Sequence, residues 1–174
     1  MSECFSHQLK LDRIHDGERV ELSANEGERR QIASDLGLEA LDQLDAHAML
    51  ERKGEIVRAT GRISASLTQS CVVTGDPIAA HVDEPFDLSF APDIAASEPD
   101  AEIELGPEDC DTIFHDGAAI DLGRAIVDTL ALSIDPFPRS AGADAALKEA
   151  GIMTESEAGP FAALAALKGR ESSD

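Results

Sequence analysis

The chain has 174 residues, of which 35 are acidic and 14 are basic, and its formal net charge is −21. Such a surplus repels phosphate backbones, which argues against direct nucleic-acid binding and makes a basic protein the natural partner class. The length predicts one domain, and the scattered Cys4, Cys71 and Cys110 do not make a disulfide framework. No stretch approaches the ~20 apolar residues of a membrane span, and the N-terminal stretch has no apolar core long enough for a signal peptide, so we expect a cytoplasmic protein. We also expect it to be a monomer.

The first strong pattern is a helix over residues 24–36. Ser23 and Glu26 have the spacing of a capping box, and Gly37 stands where a left-handed residue would end the helix. A loosely alternating stretch before it, around Leu9 and Leu11, is typical of a short strand.

Residues 43–52 fit a strand better than the helix that Leu38 and its neighbours also allow, because Lys53-Gly54 reads as a tight turn into a certain strand. From Val57 to Thr68 apolar and polar residues alternate strictly, which predicts a sheet with one buried and one solvent-exposed face. Within it, Gly61 indicates a bulge or a bend.

A turn at Gly75-Asp76-Pro77 and an alternating run from Ile78 to Phe90 extend this pattern into an antiparallel meander. Asp121 is a good N-cap for a helix over 121–133. The fold class is therefore α+β: an antiparallel meander sheet with two or three helices packed on one face.

The rest of the chain has a different character. Residues 93–116 hold nine acidic side chains and no Lys or Arg, which favours a mobile acidic loop within a domain over 1–139. We expect a flexible linker over 140–157, an amphipathic helix over 158–168 and a disordered tail over 169–174.

Motifs that carry chemistry are missing from the sequence. There is no HExxH, no GxSxG elbow and no glycine-rich phosphate loop, so we expect no enzymatic activity. Cys71 lies after a strand and before a turn, where a small core hydrophobe is a better interpretation than a nucleophile or a metal ligand.

Three segments, in order, resemble the YceD-like family, the large ribosomal RNA subunit accumulation proteins. The stretch Leu67–Phe86 is similar to that family's central hairpin, Ile120–Arg139 to its second signature and Pro160–Lys168 to its closing motif. The resemblance implies a role in accumulation, processing or assembly of the large ribosomal RNA, with no known enzymatic activity.

One departure from the family concerns metal binding. Many members carry a CxxC in the hairpin and later cysteines, a plausible zinc arrangement, whereas this chain has Thr74 in the second place and Ser140-Ala141-Gly142 where the later cysteines would fall. We therefore expect no metal and no cofactor, and a hairpin held by packing and ladder hydrogen bonds.

Two hypotheses follow for the binding surface. In the first, acidic side chains and an apolar helix face hold a basic ribosomal protein or a ribosomal RNA maturation factor; the residues are Glu98, Asp100, Glu102, Glu104, Glu108, Asp109, Asp111, Phe161, Leu164 and Leu167. In the alternative, a basic strand face contacts RNA directly; its residues are Arg52, Lys53, Arg58 and Arg62.

Overall fold

The computed structural model describes residues 5–93 and 112–152. Its strands and helices follow in chain order, with a 3₁₀ turn at Leu11–Arg13 after the first strand. They are β1 Gln8–Lys10, β2 Glu18–Ser23, α1 Glu26–Asp35, β3 Ala40–Lys53, β4 Ile56–Ser70, β5 Pro77–Pro92, β6 Thr112–His115, β7 Ala119–Asp121, α2 Leu122–Ser133 and α3 Ala143–Glu149.

Five strands form one sheet in the order β2-β3-β4-β5-β6, and β1 pairs with β7 in a second, two-stranded sheet. This confirms the α+β class. The meander needs one correction, because β6 runs parallel to β5, with Ser89 opposite Thr112. A parallel neighbour needs a crossover connection, because the chain must return to the same end of the sheet before the second strand begins. The predicted acidic loop over 93–116 is thus strand at its end.

The alternation along β3 and β4 explains the long hairpin. Every second residue from Val57 to Leu67 faces inward, and all but Gly61 are buried, beside an equally spaced buried row on β3. The prediction of a bulge at Gly61 is wrong, because Gly61 pairs regularly with Ala48. The register shift lies instead between Leu41 and Gln43.

The reason for Gly61 is space. A Cβ on this residue would overlap the backbone oxygen of His47 and would lie 2.8 Å from Cζ of Phe86. Glycine lets the Phe86 ring and the neighbouring strand approach the backbone of β4 directly.

Helix α1 begins two residues later than the sequence predicts. Asn25, and not Ser23, is the N-cap: its side chain accepts from the Glu28 N–H at 3.0 Å, and Glu28 accepts from the Asn25 N–H at 2.8 Å. The capping box therefore exists, shifted by two residues, because Ser23 is still paired in β2. Gly37 ends the helix with a φ of 66°, as predicted.

Helix α2 is capped by Asp121, as predicted, and this carboxylate also holds the N-terminal segment. It accepts from the Arg124 N–H at 3.1 Å, the His7 N–H at 2.9 Å and the Ser6 hydroxyl at 2.6 Å. Burial raises the pKa of Asp121, but these hydrogen bonds together outweigh burial and leave that pKa below its ordinary value.

The chain divides into two compact units. One comprises Met1–Gln69 and Ala79–Pro136, and its core joins the inward rows of the sheet with Ile32 of α1 and the buried stripe of α2. The other comprises Ser70–Ile78 and Phe137–Asp174 and holds α3. This division differs from the predicted boundary at residue 139, and α3 lies where a flexible linker over 140–157 was expected.

Candidate functional site

The outward side chains of β2, β3, β4 and β5 form the exposed sheet face. Two of the predicted RNA-contact residues, Arg58 and Arg62, project from it, as the alternation of β4 predicted. Each is paired across the strand boundary with an aspartate of β5. Arg58 donates from Nε to Oδ1 of Asp87 at 2.7 Å and from a second nitrogen to Oδ2, and Arg62 donates from Nε to Asp83.

Each pair shifts the pKa of its own aspartate. The hydrogen bond from Arg62 lowers the pKa of Asp83, and that from Arg58 lowers the pKa of Asp87, in each case against the opposing effect of burial. Asp83 in turn raises the pKa of Arg62. Both arginines therefore carry a charge that a neighbouring carboxylate already neutralises.

The other two residues of the predicted basic patch do not complete it. Arg52 lies on the opposite row of β3 from Lys53, and its side chain donates to the backbone oxygens of Leu11 and Gly54. Lys53 is exposed at the end of β3. Because successive side chains of a strand point to opposite faces, the sheet separates Arg52 from Arg58, and the four cations do not share one surface.

The residues proposed to bind a basic partner lie outside the described part of the chain. This holds for the seven carboxylates between 98 and 111 and for the apolar side chains Phe161, Leu164 and Leu167. Residues 94–111, here called the acidic segment, contain all seven of those carboxylates and no Lys or Arg.

A second cluster surrounds Cys71, which the sequence alone favoured as a small core hydrophobe. Its buried sulfur accepts from the backbone N–H of Thr74 at 3.4 Å and of Ser140 at 3.2 Å. The hydroxyls of Thr74 and Ser140 lie 3.2 Å apart, and Val72 N–H donates to the Pro138 oxygen at 2.9 Å.

Hydrogen bonding by Ser140, and then by Thr74, lowers the pKa of the Cys71 thiol to about 6. The spacing in the sequence could have revealed this cluster, because positions 71 and 74 are three residues apart and so are positions 140 and 143. Sequence reasoning placed the later positions at 140–142 and did not connect Ala143 with them.

Within residues 5–93 and 112–152 no helix is long and apolar enough to cross a membrane. In that same part of the chain, no three His, Cys, Asp or Glu side chains are grouped so that they could hold a metal ion.

Comparison with known proteins gives one result. No curated protein and no solved structure matches the chain. The family model described as large ribosomal RNA subunit accumulation protein YceD matches residues 59–168, which is more than half of the chain. The match begins in β4 and continues past α3, so it includes the Cys71 cluster and the acidic segment, and it connects the chain with accumulation of the large ribosomal RNA subunit. The chain belongs to the YceD family of large ribosomal RNA subunit accumulation proteins.

Proposed function

We propose that this protein supports large ribosomal RNA accumulation by binding a basic ribosomal protein or a ribosomal RNA maturation factor, without catalysing a reaction. One contrast carries the proposal. Arg58 and Arg62 of the exposed sheet face are matched by Asp87 and Asp83, whereas the acidic segment has seven carboxylates and no cation of its own. The unbalanced charge of the chain therefore favours a cationic partner.

The charge of the acidic segment would act on the encounter with a basic partner. Opposite charges steer encounter and raise association rates, and the effect falls steeply with ionic strength. A run of carboxylates offers a basic protein the same sign of charge as RNA does. The acidic segment would shield such a protein until the polyanion, with its higher charge density, displaces it.

The direct RNA alternative receives less support from the sheet. Proteins that bind single-stranded RNA on a sheet stack bases on exposed aromatic rings. The two phenylalanines of β5, Phe86 and Phe90, are buried on the inner side of the sheet, and of the phenylalanine rings on the described strands that of Phe114 in β6 alone is exposed. Arg58 and Arg62 would also have to leave their aspartates before they could contact a phosphate.

The test is affinity capture from native lysate at low salt, with and without nuclease. The test variant replaces the seven carboxylates of the acidic segment by the corresponding amides, which keeps the chain length and removes seven charges. A matched control removes the same charge from exposed positions elsewhere; it converts Asp12, Glu21, Asp42, Glu51, Glu84, Asp144 and Glu149 to amides.

We expect a basic protein to be captured by the wild type and by the control, to survive nuclease, and to fall at least about tenfold with the test variant. Capture should weaken steeply as salt rises. If only nuclease-sensitive species are captured, and equally by all three proteins, the proposal is wrong. An equal loss with both variants would mean that net charge alone, and not the acidic segment, attracts the partner.

A further inference from the structure

The Cys71 cluster brings together two turns of the same spacing. In the first, Cys71 and Thr74 are three residues apart, and Gly75 N–H closes the turn onto the Cys71 oxygen at 2.9 Å. In the second, Ser140 and Ala143 are three residues apart, and Ala143 N–H donates to the Ser140 oxygen at 3.0 Å. A pair of such turns is the arrangement that holds structural zinc when all four positions are cysteine.

The residues present do not fit a zinc ion. A structural site needs four ligands from thiolates, imidazoles or carboxylates. Here the four positions supply one thiol, two hydroxyls and the buried methyl group of Ala143. The hydroxyl of Thr74 is already used, because it donates to Asp76 at 2.6 Å.

The sulfur occupies a different role. Cys71 is 3% exposed, and both of its hydrogen-bond donors are backbone N–H groups, one from each turn. A buried backbone N–H left without a partner is unfavourable, so each of these bonds matters to the local structure. The Val72 to Pro138 hydrogen bond and the contact between the Thr74 and Ser140 hydroxyls add direct links between the same two turns.

We propose that these two turns form a metal-independent clasp, in which the Cys71 sulfur joins them by accepting one backbone N–H from each. The clasp comprises residues 71–76 and 138–143. It accounts for a cysteine that has no thiol partner and no metal-ligand partner in the described part of the chain. Hydrogen bonds to the sulfur take the place of the metal–sulfur bonds that the four-cysteine arrangement would provide.

The first test uses the unmodified, full-length protein. It is purified from zinc-supplemented culture without chelator, its metal content is measured by mass spectrometry, and its thermal unfolding is followed with and without EDTA. We expect far less than one zinc per chain and no change of Tm with EDTA. One zinc per chain, with a Tm that falls on chelation, would overturn the proposal.

The second test measures the two N–H groups themselves. Amide hydrogen exchange of Thr74 and Ser140 is compared in the wild type, in Cys71→Ala and in the matched control Cys110→Ala. We expect exchange of both amides to be roughly tenfold faster or more in Cys71→Ala and unchanged in the control. If both amides of the wild type exchange as fast as those of an unfolded peptide, no such hydrogen bonds exist and the clasp is refuted.

The third test asks whether the four positions converge. The variant Thr74→Cys/Ser140→Cys/Ala143→Cys places a thiol at each, and cobalt(II) is the probe because four thiolates around it give a characteristic tetrahedral absorption spectrum. We expect one equivalent bound by this variant, a zinc-dependent rise of its Tm, and neither effect in the wild type. A folded variant that binds no cobalt would show that the turns are not arranged as proposed.

Discussion

Gly61→Ala is the substitution for which the packing of the sheet makes the sharpest prediction. The added methyl group would overlap the backbone oxygen of His47 and lie 2.8 Å from Cζ of Phe86. Phe86 could rotate away only within a filled core, and a backbone oxygen cannot move unless β3 shifts. The strain must therefore spread along the β3–β4 pairing.

The magnitude follows from two opposing contributions. Overpacking a filled core costs about 1–3 kcal/mol, and a clash with backbone belongs at the upper end of that range. Replacing glycine by alanine within a strand returns about 0.5–1 kcal/mol. We expect a net loss of roughly 1–2 kcal/mol in the free energy of unfolding and a fall in Tm of about 3–8 °C.

The assay is urea and thermal unfolding followed by far-UV circular dichroism, because the chain has no Trp or Tyr for fluorescence. Gly142→Ala is the matched control: its Cβ would meet nothing within 4 Å, and its φ is −87°. We expect that control to stay within about 0.5 kcal/mol of the wild type. If Gly61→Ala does the same, the close approach of β3 and Phe86 to Gly61 is not real.

Three further predictions concern charge and pH. Arg58→Glu should cost up to about 1 kcal/mol of stability, and the exchange Arg58→Glu/Asp87→Arg should restore it, since the pair is solvent-exposed; failure of the exchange to rescue would mean that Arg58 has another role. Asp121→Ala should cost about 1–2 kcal/mol and flatten the loss of stability that the wild type shows in acid, because a lowered carboxyl pKa contributes stability that disappears as pH falls; an unchanged acid profile would contradict this. Between a pH of about 6 and the ordinary thiol pKa, stability should rise with pH. The lowered pKa of Cys71 contributes stability that is complete above that range and lost below it, so Cys71→Ala should abolish the rise. A rise that persists in the variant would assign it to another group.

Strong periodicity made the hairpin predictable. The alternation from Val57 to Thr68 specified both the strand and its buried face, and the Asp121 cap and Gly37 fixed the ends of two helices. Where the periodicity was weak, a strand could not be recognised from the sequence. Strand β2 went unrecognised because a capping box was assigned to Ser23, which belongs to the strand.

Local sequence patterns could not predict the features that depend on contacts between residues distant in sequence. Gly61 looked like a bulge because sequence does not show that Phe86 lies against it. The parallel pairing of β6 with β5 joins strands whose relative direction no local pattern specifies. The four cations near β4 looked like one patch because their closeness in sequence hides the face on which Arg52 lies.

The candidate partner-binding residues were chosen for charge and apolar spacing, and those between 98 and 111 and between 161 and 167 stay predictions. The residues of the alternative basic site lie in the described part of the chain, so their placement can be compared with the prediction. Strand alternation predicted correctly that Arg58 and Arg62 face outward, but their pairing with Asp87 and Asp83 required the neighbouring strand. The sequence of one strand does not show which strand will pair with it.

The role of the acidic segment can be measured in cells that lack this protein and are complemented with variants, as the level of large ribosomal RNA relative to small ribosomal RNA. The variant with amides in the acidic segment is compared with the scattered-amide control and with Arg58→Glu/Arg62→Glu, all at matched protein levels. We expect the control and the arginine variant to restore the ratio and the acidic-segment variant to fail. Restoration by the acidic-segment variant together with failure of the arginine variant would refute binding through the acidic segment and assign the function to the exposed sheet face.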